Sequence, residues 1–164
     1  MTFEVKLDDG LSKEERYKSL LPQIYSLVSG EDNFISNLAN ITSVLKYSFE
    51  DFLWVGFYLL DGVKKNELIL GPFQGRVACT RIPTGKGVCG ASAEKKETIL
   101  VEDVDKFPGH ITCDSLSRSE IVVPIIKNNE VIAVLDIDSD KLNNFDNIDK
   151  KYLEELVKNI SHLF

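Results

Sequence analysis

The sequence predicts an α+β fold, in which helices near both ends of the chain pack on one face of a mostly antiparallel sheet of five or six strands. Apolar residues recur at helical spacing near the two ends, whereas the middle of the chain alternates with the period of a strand. Short turn signals such as Asp61-Gly62 join consecutive strands, and tight turns connect antiparallel neighbours. A chain of 164 residues has room for one core, so we assign residues 1–164 to a single domain.

The N-terminal helices are expected over about residues 12–47. Ser12, with Glu15 three residues later, forms a capping-box pattern that starts the first helix. Pro22 falls inside this helix and is expected to kink or divide it. The second helix begins near Asp32, where a new apolar stripe starts.

Strands and the loops between them are expected over about residues 52–139. The strand candidates are 52–60, 66–73, 76–82, 98–103, 120–126 and 131–138. Asn128-Asn129 marks a tight hairpin between the last two, and the segment 91–97 is compatible with a short helix. The chain returns to helix over about residues 146–163.

The charge balance argues against two classes of partner. The chain has 26 acidic and 19 basic residues, a net charge of −7, whereas nucleic-acid binding needs clustered Lys and Arg. The longest apolar stretch, Phe52–Leu60, is far shorter than the roughly 20 residues that span a bilayer. Residues 1–10 lack the basic-then-apolar pattern of a secretion signal, so we expect a cytoplasmic protein.

The three cysteines are an odd number in a chain that we expect to be cytoplasmic, which excludes a purely structural disulfide framework. Structural thiols, a metal site and redox chemistry remain. Cys79, Cys89, His110 and Cys113 together would supply four zinc ligands, but the close spacing of paired zinc ligands is missing.

Each cysteine has its own local setting. Cys79 lies in the strand candidate 76–82 and can equally be a small buried apolar residue. Cys89 lies just before the helix candidate, where the positive end of the helix dipole is expected to lower the pKa of its thiol. Cys113 lies in a polar loop and becomes reactive only if His110, backbone amides or a helix terminus favours its thiolate.

The glycine-rich segment Gly85–Gly90 matches a dinucleotide-binding pattern. That pattern binds a dinucleotide only after a buried parallel strand and before a long helix, and neither is predicted here. We therefore expect no cofactor.

Three acidic residues lie at strand ends. Asp136 and Asp138 continue one face of the strand candidate 131–138, and Glu120 opens the preceding strand. Paired acids in a half-buried setting repel each other, so at least one pKa is expected to rise, and such a group can act as a general acid. The same acids can instead solvate the strand ends or bind Mg²⁺ or Ca²⁺.

Four segments of the chain resemble the free methionine-(R)-sulfoxide reductases, small enzymes built on a GAF domain. The matching segments, which hold all three cysteines and all three acids, are 54–60, 70–90, 101–125 and 131–139. The resemblance implies a GAF-like domain, an oxidoreductase and a homodimer, with no metal.

The resemblance also implies roles for the cysteines. Cys113 would attack the sulfoxide, leaving methionine and a sulfenic acid. Cys79 is favoured as the resolving thiol and Cys89 as an auxiliary one, although their order stays open. A thioredoxin-type reductant would then reopen the disulfide.

The acids and aromatics gain roles in the same way. Glu120, Asp136 and Asp138 would contact the substrate; either aspartate would protonate the sulfoxide oxygen, and another acid would hold the substrate ammonium. The remaining expected substrate-binding residues are Trp54, Tyr58 and Asp114. The alternative function is a GAF module that binds a small molecule or senses redox state without turnover, and a metal-dependent hydrolase would leave the cysteine motifs unexplained.

Overall fold

The computed structural model describes residues 4–164, so Met1–Phe3, part of the predicted domain and of the segment without a signal pattern, lie outside the described residues. None of the helices in this range combines the length and the hydrophobicity that a membrane span requires. The helices are α1 Lys13–Val28, α2 Phe34–Ser48, α3 Gly87–Lys95 and α4 Asn147–Ile160, with short 3₁₀ helices at Val104–Lys106 and Ser161–Leu163. The strands are β1 Trp54–Leu60, β2 Glu67–Gln74, β3 Arg81–Pro83, β4 Ile99–Val101, β5 Ser119–Lys127 and β6 Glu130–Ser139.

The six strands form one sheet in the order β3-β2-β1-β6-β5-β4, in which every neighbouring pair is antiparallel. This confirms the predicted α+β class. β6 lies between β1 and β5, so Asp138 pairs with Trp54 on one side and with Glu120 on the other. The start of β1, the start of β5 and the end of β6 therefore meet at one end of the sheet, where the predicted site residues come together.

One face of the sheet, the helix-side face, packs against α1, α2 and α4, as predicted for the terminal helices. Its buried strand residues are Val55, Phe57, Ile121, Val123, Ile125, Ala133, Leu135 and Ile137. The capping box of Ser12 and Glu15 starts α1 as expected, but α1 continues through Pro22, so the predicted division there is wrong. Proline removes a single helical hydrogen bond, and the carbonyl left free belongs to Lys18, an exposed residue that water can reach.

The opposite face, the α3-side face, carries a second apolar cluster beneath α3 and the neighbouring loops. Its buried residues include Trp54, Tyr58, Leu68, Ile82, Val88, Cys89, Val122 and Val134. α3 begins at Gly87, earlier than the predicted segment 91–97. The glycines around its start allow close packing, because a Cβ at Gly90 would lie 2.3 Å from the carbonyl oxygen of Pro83.

The predicted strand 76–82 is wrong over most of its length, because β3 starts only at Arg81. Gly75 turns the chain away from β2 with a φ of 140°. The residues that follow form a loop, and two of their carbonyls accept hydrogen bonds from side chains of β1. Cys79 consequently lies in a loop and not in a strand.

The predicted alternation of β6 holds at its end but not at its start. A register shift at the pairing of Ile126 with Val131 leaves Ile132 without a partner. Val131 therefore joins the α3-side cluster and Ile132 packs against the helix-side core, whereas strict alternation would have placed Ile132, and not Val131, on the face of Asp136 and Asp138. Beyond this bulge, Asp136 and Asp138 both point to the α3-side face as expected.

Candidate active site

A pocket opens on the α3-side face, where β1, β5, β6, α3 and the loop before β5 meet. Its lining includes Trp54, Tyr58, Val88, Cys89, His110, Ile111, Cys113, Asp114, Ser117, Glu120, Asp136 and Asp138. Every site residue expected from the sequence lines the pocket except Cys79, which follows the lining residue Ala78 in the chain and is bonded to the lining residue Cys113. The pocket thus combines thiol chemistry, acids and aromatic rings in one place.

A disulfide joins Cys113 at the pocket wall to Cys79. The two Cα atoms lie 5.3 Å apart, although 34 residues separate the cysteines in the chain. This distance lies within the limit of about 7 Å that a disulfide allows. Cys89 is the free cysteine of the described chain, and it is buried. The odd cysteine count is therefore divided into one bonded pair and one isolated thiol.

Two aromatic side chains of β1 hold the loop that carries Cys79. The indole Nε1 of Trp54 donates a hydrogen bond of 3.0 Å to the carbonyl of Arg76, and the Tyr58 hydroxyl donates one of 3.0 Å to the carbonyl of Cys79. The intervening Gly56 leaves room for the indole, because a Cβ there would lie 2.2 Å from Trp54 Cη2. The aromatic faces line the pocket, while the polar atoms fix the loop.

The loop that carries Cys113 is held by Asp114. Its Oδ1 accepts a hydrogen bond of 3.0 Å from the backbone N–H of Leu116 and lies 3.4 Å from the guanidinium of Arg76. Its Oδ2 is buried without a hydrogen-bond partner among the described residues. Asp114 therefore orders the loop with one oxygen and leaves the other free for a ligand.

Two buried carboxyl groups, those of Glu120 and Asp136, and the half-buried carboxyl group of Asp138 form the floor of the pocket. Burial, followed by the charge of neighbouring Asp136, raises the pKa of Glu120 well above its usual value. Burial and then Asp138 do the same for the pKa of Asp136, whose Oδ1 has no hydrogen-bond partner within residues 4–164. Burial raises the pKa of Asp138 to about 6, and a hydrogen bond from the Ser117 hydroxyl opposes part of this rise. The predicted rise in pKa of paired acids is confirmed.

No lysine or arginine lines the pocket in the described part of the chain. The nearest basic group to the acids is His110, whose Nε2 lies 3.7 Å from Oε2 of Glu120. Burial lowers the pKa of His110 and raises that of Glu120, so both shifts disfavour a charged pair between the two side chains. Among the described residues, the acids of the pocket lining therefore outnumber its basic groups.

The environment of Cys89 differs from the one expected. Cys89 lies within the first turn of α3 with a relative exposure of 3%. Burial, followed by the carboxylates of Asp136 and Glu120, raises the pKa of its thiol well above the usual value. The expected lowering by the helix dipole is wrong, because that effect is worth about 1 kcal/mol or less and is outweighed by desolvation and like charge.

The structure regroups the candidate metal ligands. Cys79 and Cys113 are bonded to each other, so the zinc set considered from the sequence does not form in this state. Instead, the Sγ of Cys89 and carboxylate oxygens of Glu120 and Asp136 lie within 4.8 Å of one another. The local sequence around Cys89 does not indicate that its thiol faces two acids from distant strands.

Ser117 and Arg76 are contacts of the site that sequence reasoning missed. Ser117 hydrogen-bonds Asp138 across 21 residues of chain, and Arg76 reaches Asp114 across 38. Neither pair has a local spacing that could indicate it. Both contacts form only in the folded protein, where the sheet brings the loops together.

Comparisons with known proteins agree with the fold. Residues 39–164 match the GAF domain family. The chain is 56% identical over 158 residues to GAF domain-containing protein A of Dictyostelium discoideum, covering 96% of this chain and 98% of that protein. It is 46% identical over 162 residues to the free methionine-R-sulfoxide reductase of Saccharomyces cerevisiae, covering 96% of this chain and 90% of that protein.

A solved structure gives the same picture in three dimensions. The free methionine-R-sulfoxide reductase of Neisseria meningitidis, in complex with its substrate, superimposes with a TM-score of 0.95 at 48% identity, covering 99% of this chain and 96% of that one. Fold, sequence and length therefore agree. The chain belongs to the free methionine-R-sulfoxide reductases, an oxidoreductase family built on the GAF domain.

Proposed function

We infer that this protein reduces free methionine-R-sulfoxide to methionine, with Cys113 as the nucleophile and Cys79 as the resolving thiol. The observation that carries the proposal is a disulfide on the wall of a pocket that holds three acids and, among the described residues, no lysine or arginine. Such a pocket suits a small substrate that brings its own positive charge and an oxidised sulfur.

The acids provide the recognition of the free amino acid. The substrate ammonium would donate hydrogen bonds to Glu120 and Asp136, including one to the unpaired Oδ1 of Asp136. A methionine sulfoxide residue inside a peptide has no ammonium at this position, so it lacks this contact. The rings of Trp54 and Tyr58 would wall the methyl and thioether groups. Backbone amides near Cys113, together with the free oxygen of Asp114, would bind the polar groups at the pocket mouth.

The chemical step transfers one oxygen atom from sulfur to sulfur. The Cys113 thiolate attacks the sulfoxide sulfur and forms a transient bond between the two sulfurs. The sulfoxide oxygen takes a proton and passes to Cys113 Sγ as its bond to the methionine sulfur and the transient sulfur–sulfur bond break, which leaves methionine and a sulfenic acid on Cys113. Asp138, with a pKa of about 6, is the group best suited to give the sulfoxide oxygen a proton near neutral pH.

The second step closes the disulfide. The Cys79 thiol attacks the sulfenic acid of Cys113, releasing water and forming the bond between the two sulfurs. A thioredoxin-type dithiol then supplies two electrons and two protons by thiol–disulfide exchange. Cys89 takes an auxiliary part, because its thiol is buried and its raised pKa disfavours the nucleophilic thiolate. We also propose that the protein is cytoplasmic and forms a homodimer. Light scattering measures the molar mass of the assembly.

Stoichiometric thiol titration tests the reaction, the substrate and the residues together. Fully reduced protein, freed of reductant, receives one equivalent of either sulfoxide epimer, and thiols are counted after denaturation. The R epimer should consume two of the three thiols and release one equivalent of methionine, with peptide mapping locating the bond at Cys79 and Cys113.

The controls separate an enzyme from a sensor. Cys113→Ser should release no methionine, whereas Cys89→Ser should release one equivalent in the first turnover. A redox sensor without turnover would lose thiols to peroxide and leave both sulfoxide epimers intact. Equal thiol loss with the two epimers, or normal methionine release by Cys113→Ser, would overturn the proposal.

A further inference from the structure

Cys89, Glu120 and Asp136 form a compact group on the pocket floor, here called the Cys89 cluster. Each residue offers one ligand atom, and the three atoms lie within 4.8 Å of one another. Ligands of a tetrahedral zinc ion lie about 3.5 Å apart, given Zn–S and Zn–O bonds of about 2.3 and 2.1 Å. Small side-chain rotations therefore suffice to bring the three atoms onto one ion.

The cluster lacks the partner that its chemistry requires. Asp136 is 6% exposed, and its Oδ1 has no hydrogen-bond partner in the described chain. Glu120 is also 6% exposed, and the basic group beside it is His110, whose Nε2 lies 3.7 Å from Oε2 of Glu120. A buried carboxylate without a partner is costly, so these groups either hold protons or bind a cation. The orphaned oxygen is a separate sign, beyond the clustering itself, that a ligand belongs here.

The donor set selects the kind of cation. Mg²⁺ and Ca²⁺ take six or more oxygen ligands, and a thiolate is a poor ligand for either. Zn²⁺ accepts sulfur and oxygen together in a four-coordinate site. Two carboxylates and one thiolate, with water in the fourth position, therefore fit Zn²⁺. Binding would release the thiol proton together with any carboxyl protons.

We propose that the Cys89 cluster is a zinc-binding site, occupied when the substrate is absent. The ion binds Cys89 Sγ and one oxygen each of Glu120 and Asp136. This site does not involve the Cys79–Cys113 disulfide, so it exists in the oxidised protein. A consequence, which rests on the proposed function, is that zinc and the substrate ammonium exclude each other and zinc inhibits the reductase.

Oxidised protein gives the cleanest test, because with Cys79 and Cys113 joined the free thiol of the described chain is Cys89. Zinc chloride alone is titrated against a chromogenic chelator, without any thiol reductant that would bind the metal. Wild type should bind one equivalent. Cys89→Ser should weaken binding by at least about 100-fold, since even the loss of outer-shell partners costs 10- to 100-fold. Cobalt(II) should give a thiolate-to-metal charge-transfer band that Cys89→Ser abolishes.

A matched pair of variants tests the acids. Glu120→Gln should weaken zinc binding, whereas the same change at exposed Glu102 should not. If Cys89→Ser fails to fold, as judged by circular dichroism, Glu120→Gln and the cobalt spectrum of wild type decide the matter. Absence of zinc binding at a one-to-one ratio, or binding unchanged in Cys89→Ser or Glu120→Gln, would overturn the site.

Competition distinguishes this site from the proposed function. Free methionine should weaken zinc binding to oxidised wild type if the ammonium and the ion share the acids. Zinc binding without such competition would keep the metal site and contradict the assigned ammonium position. Methionine binding without zinc binding would contradict the metal site and keep the assigned ammonium position.

Discussion

Asp149 and Asp136 are both buried aspartates, but they lie on opposite sides of the sheet in opposite electrostatic situations. Asp149, in the helical layer, is fully buried and accepts hydrogen bonds of 2.8 Å from the Tyr17 hydroxyl and 2.6 Å from the Lys13 ammonium. Asp136, on the α3 side, keeps an oxygen without a partner among the described residues. The helix side satisfies its polar groups, and the α3 side leaves them for a ligand.

The same strands serve both sides. Along β6, Leu135 packs into the helix-side core, while its neighbour Asp136 reaches the pocket. Because successive side chains of a strand point to opposite faces of the sheet, neighbouring residues of β6 alternate between the helix-side core and the pocket. Substitutions at adjacent positions should therefore separate stability from activity.

The neighbours Leu135 and Asp136 test this separation with the largest effect. Leu135→Ala should lower the free energy of unfolding by about 2–5 kcal/mol, because it opens a cavity in a fully buried core. Asp136→Asn should leave that free energy unchanged or raised, and should lower kcat/KM for free methionine-R-sulfoxide by about 10- to 100-fold through loss of a charged hydrogen bond. Urea denaturation and steady-state kinetics measure the two quantities. Equal loss of stability in both variants would contradict the division of roles.

The two buried aspartates provide a matched chemical change. Asp149→Asn should lower the free energy of unfolding by about 2 kcal/mol, since it weakens hydrogen bonds to a charged ammonium and to a buried phenol. Asp136→Asn should not. The comparison is made by urea denaturation at neutral pH, and a larger loss for Asp136→Asn would mean that the pocket acid is a structural group after all.

The pH dependence of stability sharpens the contrast further. The pKa of Asp138 is raised to about 6 by burial, so the folded protein holds this proton more tightly than the unfolded chain. The resulting stabilisation is fully present below about pH 4 and is lost as the pH rises through about 6. Between about pH 7 and pH 5, wild type should gain about 1 kcal/mol relative to Asp138→Asn.

Comparing the two proteins reports the Asp138 proton together with the smaller change that loss of its charge makes in the raised pKa values of Asp136 and Glu120. The lowered pKa of His110 changes stability in the opposite direction, and it does so in wild type and variant alike. Parallel stability curves for the two proteins would show that Asp138 titrates normally in the folded state. Urea denaturation at several pH values gives both curves.

The smallest expected effect concerns the Cys79 loop. Tyr58→Phe removes the hydrogen bond to the carbonyl of Cys79 but keeps the aromatic ring, a change worth about 1 kcal/mol. Disulfide formation after the first oxidation should slow by about fivefold, while the release of methionine keeps its rate. Quenched-flow trapping of the sulfenic acid follows the first quantity. An unchanged rate of disulfide closure would mean that the loop is held without Tyr58.

The predictable parts of the molecule are those with local causes. The capping box of Ser12 and Glu15 and the strands with clear alternation could be identified from the sequence because their determinants lie within a few residues. The prediction of a strand over 76–82 is wrong because the carbonyls of Arg76 and Cys79 accept hydrogen bonds from the side chains of Trp54 and Tyr58, more than 20 residues away, and these bonds hold the segment as a loop. The pKa of the Cys89 thiol also depends on distant residues, since the acids that help to raise it come from β5 and β6.

The disulfide between Cys79 and Cys113 also changes the topology of the chain. It closes a loop across a separation of 34 residues that contains β3, α3 and β4, whereas α1, α2 and α4 lie outside it. Closing a loop of this length reduces the conformational freedom of the unfolded chain by an amount worth about 4 kcal/mol. If the bond forms and opens in every turnover, the protein alternates between an oxidised form, which is more stable against unfolding, and a reduced form, which is less stable. Resistance to heat and proteolysis then reports the cellular supply of reductant.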